Sequence, residues 1–224
     1  MGKYTTVLFD LDGTILDTNE LIISSFLHTL NQYYPEKAYT RDHIIPHMGK
    51  TLVDMMTIFA EEAETDTERI QDMIQVYREH NLRVHDDMVE AFPHAYDVIQ
   101  TLHDRGVKLG IVTTKQRKTA MMGLELCGLK PFMQTVITIQ DVDHPKPHPE
   151  PVLKAMSELG ALAPTTLMVG DSRYDIESAQ RAGIDSAGVA WTLKGVDYLQ
   201  SFSPTYMLES MQDLLTIQQE LSRS

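Results

Sequence analysis

A single cysteine, Cys127, is all the thiol chemistry available to this chain of 224 residues. That excludes an internal disulfide and any zinc site built on several thiolates, and it fits a reducing compartment. Basic residues are also few: 19 Lys and Arg stand against 32 Asp and Glu, a formal charge of −13. Such an excess repels phosphate backbones, so nucleic acid is not an expected partner. No apolar run approaches the roughly eighteen residues of a membrane span. The stretch MGKYTTVLFDLDGT is interrupted by acids too soon to form the apolar core of a secretory signal. A cytoplasmic protein with no membrane and no obligate protein partner is the expectation.

What is present is 42% hydrophobic and 23% charged, enough to bury one domain or one domain carrying an insert. Thr6 to Phe9 is a short apolar run ending at Asp10, and the pattern returns at Lys108 to Thr113, Thr135 to Thr138 and Thr166 to Val169. Short continuous runs of this kind read as buried strands of a parallel sheet, with Val189 to Trp191 a further candidate. Helical patterns of crossover length lie between them: Ala95 to Arg105, Arg117 to Leu126, Glu150 to Leu159 and Tyr174 to Ala182. Between the first and second strands lie several helical patterns and no convincing strand. The expected fold is therefore α/β, a Rossmann-like parallel sheet flanked by helices, with a small α-helical cap inserted. Core boundaries fall at residues 1–16 and 90–224, and the cap at 17–89. The acids Glu61, Glu62, Glu64, Asp66 and Glu68 read as a solvated loop and helix start. The tail from Pro204 to Leu221 reads as a loop followed by a docked helix.

The first strand runs into DLDGT, which puts Asp10 and Asp12 just beyond its C-terminal end, where open α/β sheets bind ligands. Gly13 permits a tight turn directly after them. One carboxylate can act as nucleophile while the other handles protons. The fourth strand runs into GDSRYD, where Asp171 and Asp175 share one face through their four-residue spacing. With Asp10 they make an all-oxygen ligand set suited to Mg²⁺, and Asp175 is placed either to bind directly or to hold a coordinated water. So many carboxylates around a phosphoryl group call for further positive charge. Lys146 in HPKPHPEP supplies it, and Thr113 offers a hydroxyl and nearby amides to a phosphoryl oxygen.

DLDGT, IVTTK, HPKPHPEP and GDSRYD together resemble the four ordered motifs of haloacid-dehalogenase-like phosphohydrolases, over essentially the whole chain. The resemblance implies that Asp10 forms an aspartyl-phosphate and that Asp12 acts as acid and then base. It implies that Thr113 and Lys146 steady the phosphoryl group, and that Asp10, the backbone carbonyl of Asp12, Asp171 and Asp175 hold Mg²⁺. The second acid of DLD argues for phosphoryl transfer rather than dehalogenation. Intact carboxylates also argue against a non-catalytic binding module.

Substrate choice is expected from the cap, where Gly49 and Lys50 in HIIPHMGKTL can approach a second anionic group. Thr114, Lys115 and Arg117, after the second strand, are further candidates for the non-transferred anion. His43 and His47 read as loop or structural residues. Longer stretches, among them GIVTTKQRKTA, LMVGDSRYDI and AGVAWTLKG, resemble the bacillus-type inorganic pyrophosphatases linked to HPr-serine phosphate metabolism. That likeness implies Mg²⁺-dependent hydrolysis of pyrophosphate, a small anionic phosphate substrate. Phosphoglycolate phosphatase, or another small phosphomonoester hydrolase, is the alternative. Two departures from the family pattern are HMGKTL in the cap and His148 where Asp is often found.

Overall fold

Runs that are apolar on both faces need cover on both sides, and a parallel sheet layered between helices supplies it. The computed structural model describes residues 2–64 and 67–218. Its strands are β1 (Thr6–Phe9), β2 (Leu16–Asp17), β3 (Glu90–Ala91), β4 (Lys108–Val112), β5 (Thr135–Ile137), β6 (Thr166–Gly170), β7 (Asp185–Val189) and β8 (Tyr206–Leu208). Its α-helices are α1 (Asn19–Tyr33), α2 (Arg41–Ile44), α3 (Leu52–Glu62), α4 (Ile70–Met88), α5 (Ala95–Asp104), α6 (Arg117–Leu126), α7 (Glu150–Leu159), α8 (Arg173–Ala182), α9 (Val196–Gln200) and α10 (Asp213–Ile217).

Six strands pair in the order β5-β4-β1-β6-β7-β8, every pair parallel. All four side chains of β1 are buried, as a central strand requires. Its register sets Phe9 beside Ile111 of β4 and Val169 of β6. Three chain segments therefore leave the sheet at one edge within a residue of each other, and this delivers Asp10, Thr113 and Asp171 to a common place. Leu8, Val112, Ile137 and Met168 pack with Val152, Ala155 and Ala179 from α7 and α8. Each such Leu, Val, Ile or Met side chain, taken from water, contributes about 1.5–3 kcal/mol.

The chain divides into two compact units, one built from the chain up to Asp17 and from Glu90 onward, the other from Thr18–Val89. The second is helical and has its own core, in which Phe26, Leu30, Met56, Phe59 and Met73 are buried. Phe26 lies 4.7 Å from Tyr77 and 5.9 Å from Phe59, ring centre to ring centre.

Three local readings of the sequence differ from the structure. The late strand is Asp185–Val189 rather than Val189 to Trp191, since Trp191 turns out of the sheet to donate Nε1–H to Thr14 O at 3.3 Å. Tyr206–Leu208, expected in the loop and helix of the tail, is the edge strand β8, because Tyr-Met-Leu pairs with Ala187–Val189 before the helix Asp213–Ile217. The two-residue ladder of β2 and β3 is too short to leave a pattern in sequence. Asp66 and the end of the tail, 219–221, lie outside the described residues. Among the described residues, no helix is long and apolar enough to cross a membrane.

Candidate active site

DLDGT leaves β1 as a tight loop. Gly13 takes φ 75°, a left-handed value that its missing side chain allows, and the amides of Thr14, Ile15 and Leu16 all point to Leu11 O. Asp10 stays buried beside the sheet edge, its N–H bonded to Val169 O at 2.9 Å. Asp12 lies further out, where its Oδ1 accepts from Lys115 Nζ at 2.6 Å.

Lys146 closes the base of the site. Its ammonium, almost wholly buried, donates to Asp10 Oδ1 at 2.8 Å, Asp175 Oδ1 at 2.6 Å and Val112 O at 2.9 Å. Three protons thus have three acceptors. Burial opposes the charge on Lys146, but Asp10 and Asp175 outweigh it and hold its pKa above the ordinary lysine value. Asp175 is fully buried on the first turn of α8, where Oδ2 accepts from Ser172 N–H at 3.1 Å and Ser172 Oγ–H at 2.6 Å. Gly170 makes room for it, since a Cβ there would fall 2.3 Å from Asp175 Cγ.

The remaining acids repel one another. Burial pushes the Asp10 carboxyl up to about 7, against the pull of Lys146 and with a further push from Asp175. Asp171 is raised well above the usual carboxylate range by burial and by Asp10 and Asp175. One ligand oxygen from each of Asp10, Asp171 and Asp175 lies within 4.8 Å of the others. Such an all-oxygen, anionic set fits Mg²⁺, whose charge relieves that repulsion.

Thr113 is buried at the end of β4, and its Oγ1 accepts from Lys115 N–H at 3.1 Å, which leaves the hydroxyl proton for a ligand oxygen. Thr114 lies half-buried between them. Arg117, one of the candidates for the non-transferred anion, donates from Nη2 to Val136 O at 3.0 Å and Asp141 Oδ2 at 2.7 Å. In the helical unit Gly49 has φ 93°, and Lys50 Nζ sits 3.2 Å from His47 Nδ1. His43 serves α2, accepting from Thr40 N–H through Nδ1 at 3.1 Å. Three contributors carried no chemical signal in the sequence reading. Ser172 caps Asp175, Thr192 donates Oγ1–H to Asp171 O at 2.8 Å, and Lys194 lowers the Asp171 carboxyl against its acidic neighbours. Lys194 lies in AWTLKG, a stretch that marked resemblance without indicating a role.

The family profile described as haloacid dehalogenase-like hydrolase matches residues 7–189, which include every one of these core groups except Lys194 and Thr192. The chain belongs to the haloacid dehalogenase-like hydrolases. This hydrolase is 50% identical over 212 residues to Pyrophosphatase PpaX of Anoxybacillus flavithermus, covering 95% of each chain. It is 48% identical over 222 residues to Pyrophosphatase PpaX of Bacillus cereus, covering 99% of this chain and 100% of that protein. Its fold matches a crystal structure described as a haloacid dehalogenase-like hydrolase from Bacteroides fragilis, with a TM-score of 0.87 and 27% identity over 95% of this chain and 100% of that one. A predicted phosphoglycolate phosphatase from Haemophilus somnus superposes with a TM-score of 0.85 at 19% identity, covering 97% and 99%, a likeness of fold alone. The chain is a Mg²⁺-dependent hydrolase acting on a phosphorylated small molecule.

Proposed function

We propose that this hydrolase splits inorganic pyrophosphate into two phosphates through an aspartyl-phosphate on Asp10. The observation that carries the substrate is the near-full-length identity, 50% and 48%, to two proteins named Pyrophosphatase PpaX. Phosphoglycolate is the alternative, and the 19% likeness that mentions it speaks for the fold only.

Lys146 holds Asp10 Oδ1, so the carboxylate is fixed in orientation and attack on phosphorus falls to its other oxygen. The P–O bond to the leaving phosphate breaks as Asp12 gives that oxygen a proton. Asp12 then takes a proton from water, which cleaves the acyl phosphate and returns Asp10. Asp10, Asp171 and the backbone carbonyl of Asp12 would hold Mg²⁺, which would supply positive charge to the phosphoryl oxygens. Asp175 has both oxygens committed to Lys146 and Ser172, which favours contact with the metal through water. Thr113 donates its hydroxyl to the transferring group, joined there by the charge of Lys146.

Lys115 and Thr114 are assigned to the second phosphate. A polyanion that draws Lys115 from Asp12 frees Asp12 for proton exchange, so substrate arrival and acid–base readiness are linked. The Thr18–Val89 unit is proposed as the cap, with Gly49 and Lys50 as its substrate residues. The single cysteine fits a cytoplasmic location.

The test compares kcat/KM for pyrophosphate, phosphoglycolate and several phosphosugars with Mg²⁺ present. Pyrophosphate should lead by at least about tenfold, and Lys50→Ala should raise its KM, since a lost charge-assisted contact is worth about 1.5–3 kcal/mol. A lead for phosphoglycolate would overturn the substrate and leave the hydrolase chemistry standing.

A further inference from the structure

A second group of metal-binding side chains stands outside the carboxylate cluster. The turn 143–150, which presents Lys146, carries His144, His148 and Glu150, and one donor atom from each lies within 4.8 Å of the other two. Glu150 Oε2 is 3.0 Å from His144 Nδ1 and 3.9 Å from His148 Nδ1. The two rings face one another at 4.7 Å, tilted by 37°. A tetrahedral ion with bonds of about 2.0–2.1 Å needs donors about 3.4 Å apart, between these two separations.

The donors are also held in place before any ion arrives. Glu150 accepts from the N–H groups of Asp143 at 2.9 Å and His144 at 3.0 Å, and these bonds keep its carboxyl below the ordinary glutamate range. His148 Nδ1 accepts from Glu150 N–H at 3.2 Å, which fixes the ring, and an ion bound at Nδ1 takes over that lone pair from the backbone N–H. The backbone is pinned from α8, where Ser178 Oγ donates to His148 O at 2.8 Å and Arg181 to Pro147 O at 2.9 Å. All three donors face solvent at least in part, which gives an ion a path in and leaves a fourth position for water.

We propose that His144, His148 and Glu150 form a second metal site, selective for a zinc-class divalent cation rather than Mg²⁺. Two imidazoles and one carboxylate suit zinc, whereas Mg²⁺ prefers the all-oxygen set of Asp10, Asp171 and Asp175. The ion takes the place of the proton between His144 Nδ1 and Glu150 Oε2, and Nε2 of the same ring takes up a proton through solvent, so the imidazole binds as a neutral ligand. Occupied, the site ties together the two flanks of the turn that presents Lys146.

The full chain, stripped with chelator and then saturated with Mg²⁺, is titrated with Zn²⁺ against a chromophoric chelator, and separately with Co²⁺ followed by visible absorption. One equivalent should bind per chain, with the intense d–d bands of four-coordinate Co²⁺. His144→Ala and His148→Ala should each weaken binding by at least tenfold, and the double variant should lose the bands. Zn²⁺ should raise Tm in the parent and not in the double variant. His144 is 68% exposed, so His144→Ala alone gives the answer without a folding risk. Binding that survives the double substitution, or that disappears as Mg²⁺ is raised, would place the ion elsewhere and overturn the proposal.

Discussion

Lys146 uses all three ammonium protons on groups that the fold brings from distant parts of the chain: Asp10, Asp175 and the Val112 carbonyl. Asp10 thus has a fixed cation on one oxygen, with Asp171 and Asp175 close by, and asparagine in its place removes the proposed nucleophile while keeping the side chain's size. Asp10→Asn should abolish turnover, a fall of at least about 10⁴ measured by phosphate release with Mg²⁺ in excess. Gly170 acts by what it lacks. In Gly170→Ala the new methyl must displace Asp175, breaking its bonds to Ser172 and Lys146. Misplacement on the scale of an ångström costs about 10²-fold, so kcat should fall by that order while circular dichroism stays native. A variant with parental kcat would show that Asp175 need not stand where it does.

Among elements, the join of β6 to α8 bears most directly on the chemistry. Ser172 and Asp175 bond reciprocally at the helix start, so one arrangement both begins α8 and orients a carboxylate of the site. Ser172→Ala should cost about 1 kcal/mol in denaturant unfolding, as lost caps do, and also lower kcat. An unchanged kcat would separate the cap from the chemistry. In the helical unit, Phe59 packs on Phe26 at 5.9 Å, Tyr39 at 5.2 Å and His47 at 5.7 Å. Phe59→Ala should destabilise that unit by about 3–5 kcal/mol, seen as faster amide exchange over 18–89. Helices such as Arg117–Leu126 and Glu150–Leu159 were legible in the sequence because their apolar spacing is local. The edge strand Tyr206–Leu208 was not, because its identity comes from pairing with β7 rather than from its three residues.

For the whole molecule, three of the 32 acids, Asp10, Asp171 and Asp175, are gathered to chemical effect at one sheet edge. Asp10, with its carboxyl at about 7, and Asp171, raised well above its usual range, both bind a proton more readily folded than unfolded. An unfolded Asp ionises near about 3.9, so their contribution to stability is full below that pH. The Asp10 part is lost as pH rises through about 7, and the Asp171 part as pH rises through its own raised value. Without metal, Tm should therefore fall across this interval from these groups, and Mg²⁺, which binds the ionised carboxylates, should raise Tm more at pH 7 than at pH 5. Calorimetry in chelator and in Mg²⁺ reads both effects, and an equal Mg²⁺ gain at the two pH values would count against the assignment.

The motif acids, their places at strand ends, the Mg²⁺ preference and the family were all determined by the sequence alone. Each rests on residue type and local spacing, and a parallel sheet carries its strand ends to one edge whatever lies between them. Only the tertiary structure decided that Lys146 serves Asp10 and Asp175 together, that Lys115 pairs with Asp12, and that Arg117 is drawn away to Asp141. Those pairings join residues 24 to 136 positions apart, and a cation's choice among several acids depends on distance and burial that no local pattern encodes.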